Sequence, residues 1–303
     1  MPTVTLEEIT LHDPDVLLPV DAEFAADYDA AVTRGREVAK DKTVAMVAIC
    51  RNAMPWLERT LPLVERTARL FRESSVFIYE NDSTDGTKDA LAAWADGETR
   101  HASLNDNGRP HLNFTTAPVR THALAEYRAA CQQFVANGET PDYVIVFDTD
   151  PWGGWSVSGV ANSIGHMEFD DTLYGLASYS WCEWPQAAGP PRAFHYDAFA
   201  ARLNHWPQRD QNWFHLWNPP VGSEPVEFYS AFGQLAVYRG YRYLQGRYSG
   251  EDCEHVCFHR SIAAAAGNDL GDYYAGVSHT RLALNPSMRC VSFWIPEEAK
   301  RGG

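Results

Sequence analysis

The stretch Tyr143-Val-Ile-Val-Phe-Asp-Thr-Asp150 decides the fold. Its first five residues are apolar without polar alternation. Such a run suits a strand buried on both faces of a parallel sheet. The polar triplet behind it marks the strand's carboxyl end. Upstream, Thr43-Val-Ala-Met-Val-Ala-Ile49 and Ser75-Val-Phe-Ile-Tyr79 read the same way. Helical patterns separate them. Leu57, Leu61, Val64, Ala68 and Phe71 recur at four and three residues, with Pro62 implying a kink or a late start. The turn Glu80-Asn-Asp-Ser-Thr-Asp-Gly-Thr87 suits the cap of a helix carrying Leu91 and Trp94. A short strand is expected at 111–115. A helix over 121–136, with Leu124, Tyr127, Cys131 and Phe134, closes at Asn137-Gly138.

Alternation of strand and helix over 43–150 predicts a doubly wound α/β unit with a mostly parallel sheet. Residues 1–41 read as an N-terminal arm with a helix near 21–39. Residues 42–150 form the first half. Residues 151–303 are rich in Trp, Gly and Pro, with short strands, notably at 226–238, and a helix near 251–266. No linker separates the halves, so one compact domain is expected.

Composition narrows the function. The chain has 303 residues, 45% hydrophobic and 21% charged, which are ordinary globular values. With 25 basic and 40 acidic residues its net charge is −15, and such a surface repels a nucleic-acid backbone. The six cysteines lack disulfide-framework spacing, so free thiols in a reducing compartment are expected. The acidic N-terminus does not read as a signal peptide, and the longest apolar run, 44–50, is too short to span a membrane. A cytoplasmic protein is the expectation.

Ligands of open α/β sheets bind outside the carboxyl ends of the strands. The polar clusters Arg51-Asn52, Glu80–Thr87 and Asp148-Thr149-Asp150 all fall there. Asp148 and Asp150 can hold a hard divalent cation, with a diphosphate as natural co-ligand. A second cluster is Glu251-Asp-Cys-Glu-His-Val-Cys-Phe-His259. Its Cys and His pairs lie about 200° apart on a helix, which disfavours structural zinc. Asp252, His255 and His259 share one helical face, fit to carry a catalytic base and an extra metal ligand. Glu254, beside the histidine, is the second candidate base. Eight of the ten tryptophans lie in the second half; Trp152 and Trp155, flanking two glycines after the triplet, are the candidates to line a sugar site. No P-loop, GxGxxG, GxSxG or HExxH is present.

The order of these pieces resembles the GT-A glycosyltransferases that use nucleotide sugars. The resemblance rests on Cys50-Arg51-Asn52 after the first strand, the turn ENDSTDGT, Arg120 opening a helix and FDTD after the fourth main strand. The later segments Tyr196-Asp-Ala-Phe-Ala200, Tyr229-Ser-Ala-Phe-Gly-Gln-Leu-Ala-Val-Tyr238 and Gly250-Glu-Asp-Cys-Glu-His255 look like bacterial and viral capsule-type members. The resemblance implies a GT-A-like (Rossmann-like) sheet flanked by helices, with a mixed acceptor-side half. It implies Mn²⁺ or Mg²⁺, a UDP-, GDP- or dTDP-linked sugar as donor and a hydroxyl-bearing acceptor. Cys50, Arg51, Asn52, Glu80, Asn81, Asp85, Arg120 and Asp148 would contact the nucleotide sugar. Asp148, Asp150 and His255 would hold the metal, and Asp252 or Glu254 would act as base. The family often has paired Asp where this chain has Glu80-Asn81, and Pro151-Trp-Gly-Gly-Trp155 has no clear counterpart. Two other readings compete. A sugar-nucleotide nucleotidyltransferase would want a Gly-rich basic loop after the first strand, unlike Cys50-Arg-Asn-Ala-Met54. A non-enzymatic carbohydrate-binding protein would need the aromatics but not the aspartates.

Overall fold

The strand at 143–147 has no face in water, as its unbroken apolar run requires. In the computed structural model, residues 4–112, 115–203, 214–267 and 280–300 are described. Strands β1 (Thr43–Cys50), β2 (Glu73–Asn81), β3 (Arg100–Asn105) and β4 (Tyr143–Asp148) pair in parallel in the order β3-β2-β1-β4. Before them come α1 (Leu6–Leu11), α2 (Pro14–Leu17) and α3 (Ala25–Ala39). Between them run α4 (Leu57–Ala68), α5 (Thr87–Trp94) and α6 (Pro118–Asn137). Pro62 lies inside α4 and does not delay its start.

The sheet continues through the second half. Its elements are β5 (Gly154–Trp155), α7 (Val157–Phe169), β6 (Leu173–Trp184), β7 (Arg192–His195), β8 (Val226–Phe228), β9 (Leu235–Arg239), α8 (Gly240–Gln245), α9 (Glu254–Ala265) and β10 (Arg281–Phe293). The order past β4 is β9-β6-β10-β5. β9 runs antiparallel to both β4 and β6, while β10 is parallel to β6. The result is an α/β fold, parallel in its first four strands and mixed beyond, with one apolar core on each sheet face. The arm is docked on the second half. A Cβ on Gly35 of α3 would stand 1.7 Å from the Ala161 carbonyl oxygen of α7, so only glycine permits that approach.

Four expectations change. The third strand is Arg100–Asn105, not 111–115; residues 111, 112 and 115 are outside any strand, and 113–114 lie outside the described residues. The true strand is a polar edge held by its main-chain ladder to β2, so no apolar pattern announces it. The run 226–238 divides into β8 and β9 around a turn. The helix near 251–266 starts at Glu254, with Cys253 as its cap. The long buried strands β6 and β10 were missed, because Gly, Ala and Ser in β6 and Asn, Pro and Ser in β10 mute the strand signal. Trp206 and Trp213 lie outside the described residues. All six cysteines are buried and unpaired. Among the described residues no helix is long and apolar enough to cross a membrane.

Candidate functional site

Strand register delivers three polar segments to one edge of the sheet. Cys50 lies opposite Glu80 and Ile49 opposite Asp148. The chain turns sharply just past two of these strand ends, with Asn52 at φ 49° and Asp82 at φ 54°, in the left-handed region that Asn and Asp tolerate. Asn52 then binds the ENDSTDGT turn. Its Oδ1 accepts from Thr84 N at 2.8 Å, and Ser83 Oγ accepts from Asn52 N at 2.9 Å. Above this edge opens a cleft of about 360 Å³, the size of a small-molecule site.

Of the sequence-predicted residues, Cys50, Arg51, Asn52, Asn81, Arg120, Asp148, Asp150, Glu254 and His255 line the cleft. Glu80, Asp85, Trp152, Trp155 and Asp252 do not. The Glu80 carboxylate is fully buried within the turn, accepting from Ser83 N at 2.7 Å and Asn105 N at 3.3 Å. Asp85 accepts from Met54 N and from the Thr87 hydroxyl, fastening the turn to the exit of β1. Trp152 stacks on Trp56 at 4.4 Å. Trp155 is core, its indole donating to Thr67 Oγ1 at 3.0 Å.

Asp252 precedes α9 and pairs with Arg202 at 3.1 Å, a guanidinium only 1% exposed. Breaking a buried pair leaves an uncompensated charge. We therefore expect Asp252→Ala to lower the unfolding free energy by about 3–5 kcal/mol in a urea titration. A change near zero would show the pair to be well solvated.

Three cleft residues were missed. Arg128 on α6 donates to Asp148 Oδ1 at 2.7 Å and is 3% exposed, with Nε and Nη1 unpartnered. It falls between Leu124 and Cys131 at helical spacing, so a charge on the apolar stripe was a legible signal. Its guanidinium lies 5.0 Å above Phe232, and Phe232 stacks on His255 at 3.8 Å. Asp197 accepts from Gly233 N at 3.0 Å. Gln234 completes the group.

The electrostatics follow from concavity. Solvent touches Asp150, yet the surrounding walls keep the dielectric low. That burial, then the Asp148 charge beside it, pushes the Asp150 carboxyl up to about 6. Asp197 rises to about 6 for the same first reason, with Asp148 and Glu254 adding repulsion. Asp148 and Glu254 are raised by burial, and Arg128 restrains both. His255 is held far below the usual imidazole range by burial, then by Arg128 and His259, so it is uncharged. Its two ring nitrogens have no hydrogen-bond partner. His259 is different: it bonds Ser230 Oγ and the Tyr238 hydroxyl, each at 2.9 Å, inside the core.

Comparison with solved structures finds distant similarities. The chain is similar to the mannosyltransferase PcManGT from Pyrobaculum calidifontis, solved with GDP-Man and Mn²⁺, at 14% identity over 91% of this chain and 68% of that one, TM-score 0.45. It is similar to M. tuberculosis glucosyl-3-phosphoglycerate synthase at 10% identity, covering 88% and 76%, TM-score 0.47. S. aureus TarS 1-349 aligns at 10% identity, TM-score 0.45, over 83% of this chain, which spans only 60% of that one. No family model matches the chain, and no curated protein matches it.

The donor set bears on metal. Among the described residues, no three His, Cys, Asp or Glu side chains are grouped to hold an ion by themselves. Mg²⁺ and Mn²⁺ do not need such a cage; one or two carboxylates with phosphate oxygens and waters suffice. Two mutually repelling carboxylates at a strand end fit that requirement.

Proposed function

We propose that this chain is a glycosyltransferase that moves a sugar from a nucleoside diphosphate sugar to a hydroxyl of an acceptor, with Mn²⁺ or Mg²⁺ bound at Asp150 and Asp148. The observation that carries this reading is the two-signed cleft at the carboxyl end of β4. Asp148, Asp150, Asp197 and Glu254 share it with Arg51, Arg120 and Arg128. The arginines suit a diphosphate, because a planar guanidinium presents forked N–H donors that match phosphate oxygens. Asn81, at the end of β2 on the cleft wall, bonds the nucleoside in this reading. The cation, when bound, offsets charge on the departing diphosphate. Glu254 is the base in this reading. It takes the proton of the acceptor hydroxyl while that oxygen bonds to the anomeric carbon. The bond from that carbon to the diphosphate breaks, and its electron pair leaves with the diphosphate. A single displacement inverts the anomeric configuration. His255, neutral and unpartnered, is available as a further metal ligand or a hydrogen-bond donor.

The test is thermal denaturation with UDP-, GDP- and dTDP-sugars, each with and without Mn²⁺. Stabilisation is expected for one nucleotide class, and only when metal is present. At about 100 times Kd it amounts to ~2.7 kcal/mol, a shift of about 4 °C for a chain of this size. No shift with any nucleotide would end the reading.

A further inference from the structure

Gln234 holds an unusual backbone for its type. Its φ is +69°, in the left-handed region that Gly, Asn and Asp enter far more readily than glutamine. Several contacts enforce it. Gly233 before it, at φ +65°, lies so close to β6 that a Cβ would stand 2.1 Å from the Ser178 carbonyl oxygen. Asp197 accepts from Gly233 N. The Gln234 carbonyl accepts from Asp148 N at 2.9 Å, extending the β4–β9 ladder by one step beyond Phe147 and Leu235. Strain of this kind persists where surrounding structure over-determines it, and it clusters at ligand sites.

The side chain it places is 5% exposed and lines the cleft, yet its Oε1 has no partner. A buried amide oxygen normally finds a donor. His255, 2% exposed, lines the same cleft with both ring nitrogens unpartnered. The amide is tied through its own main chain to Asp148, the carboxylate assigned above to the diphosphate end of the donor. The group joined to that diphosphate is the sugar. A primary amide presents a donor and an acceptor side by side, which matches two neighbouring hydroxyls.

We infer that Gln234 is a specificity-determining residue that binds hydroxyls of the transferred sugar, with Asp197 as the positioning residue that fixes its turn. This rests on the glycosyl-transfer reading above. The experiment is calorimetric titration, with Mn²⁺, of the nucleoside diphosphate sugar that stabilises the parent most and of the same nucleoside diphosphate without sugar. The variants are Gln234→Gly, which relaxes the backbone, and Gln234→Asn, which tolerates it and shortens the reach by one methylene. Both are expected to bind the nucleoside diphosphate as the parent does, and to bind its sugar conjugate about tenfold more weakly, the scale of one hydrogen-bonding partner lost. Gln234→Gly is expected to melt no lower than the parent; should it do so, Gln234→Asn decides. Unchanged affinity for the conjugate, or equal loss for both ligands, overturns the inference while leaving the transferase reading standing. If the parent binds neither ligand, that reading fails and this one with it.

Discussion

Replacing Asp150 with alanine is expected to abolish sugar transfer and leave the fold intact. The carboxylate stands just past β4, reaches solvent and belongs to neither apolar core. Deleting it removes little packing. On the proposed reading, what it removes is the metal's anchor next to the departing diphosphate. Losing one preorganised electrostatic stabiliser costs about 10²–10³ in rate, and losing an ion with it costs at least that. Stability should move the other way. Burial and Asp148 raise the Asp150 pKa to about 6, above its unfolded value, so the ionised form opposes folding. The alanine variant should therefore be slightly more stable than the parent above pH 6, an advantage that fades as pH falls toward 4 and the parent's carboxyl protonates. Metal binding needs the ionised form, so apparent Mn²⁺ affinity of the parent should fall as pH drops through about 6. Turnover assays in EDTA, with Mn²⁺ added back, check the whole account. Full activity in EDTA, or in Asp150→Ala, would sink it.

The aspartate could be found in the sequence because its strand is written in unbroken apolar letters. Tyr143 to Phe147 are all buried, and a polar triplet after such a run can only lie at a sheet end. The parallel half was legible for that reason. Strand β3 was not, because an edge is specified by main-chain pairing rather than by side-chain pattern. Nor were β6 and β10, whose small and polar residues are buried by partners far away in sequence. The site follows the same division. Local spacing located Asn81, Asp148, Asp150, Glu254 and His255 on the cleft. It misplaced Asp252, since the assumption of a helix already regular at 252 put that carboxylate on the face of His255. The cap at Cys253 breaks that periodicity, and Arg202, 50 residues earlier, takes the carboxylate. Glu80 and Asp85 read as ligand contacts, yet a turn with this many exposed N–H groups consumes its own acceptors. Asp197 and Gln234 enter through the Gly233 turn, and no local pattern announces a contact between segments so far apart.

The assignment of Glu254 as base makes the second strong prediction. Glu254→Gln is expected to lose about 10²–10⁴ in kcat with nucleotide affinity preserved, since a hydroxyl attacks poorly until a positioned carboxylate takes its proton. The glutamine keeps the shape at the first position of α9 and an oxygen that can still accept from Cys253 Sγ, now 3.7 Å from the carboxylate. A fold defect would therefore not explain the loss. The electrostatics add a second readout. Burial raises the Glu254 pKa, with Arg128 as the restraint, so the parent's kcat should climb with pH as that carboxylate ionises. In Glu254→Gln this limb should vanish, while the fall of apparent Mn²⁺ affinity near pH 6, which belongs to Asp150, should remain. A structural role for Glu254 would lower kcat without separating the two limbs. Product stereochemistry is the independent check. One displacement driven by one base inverts the anomeric centre, and NMR of the product against the donor reads it directly. Retention would mean a double displacement or a front-face attack instead, and would leave Glu254 as a group that orients the acceptor.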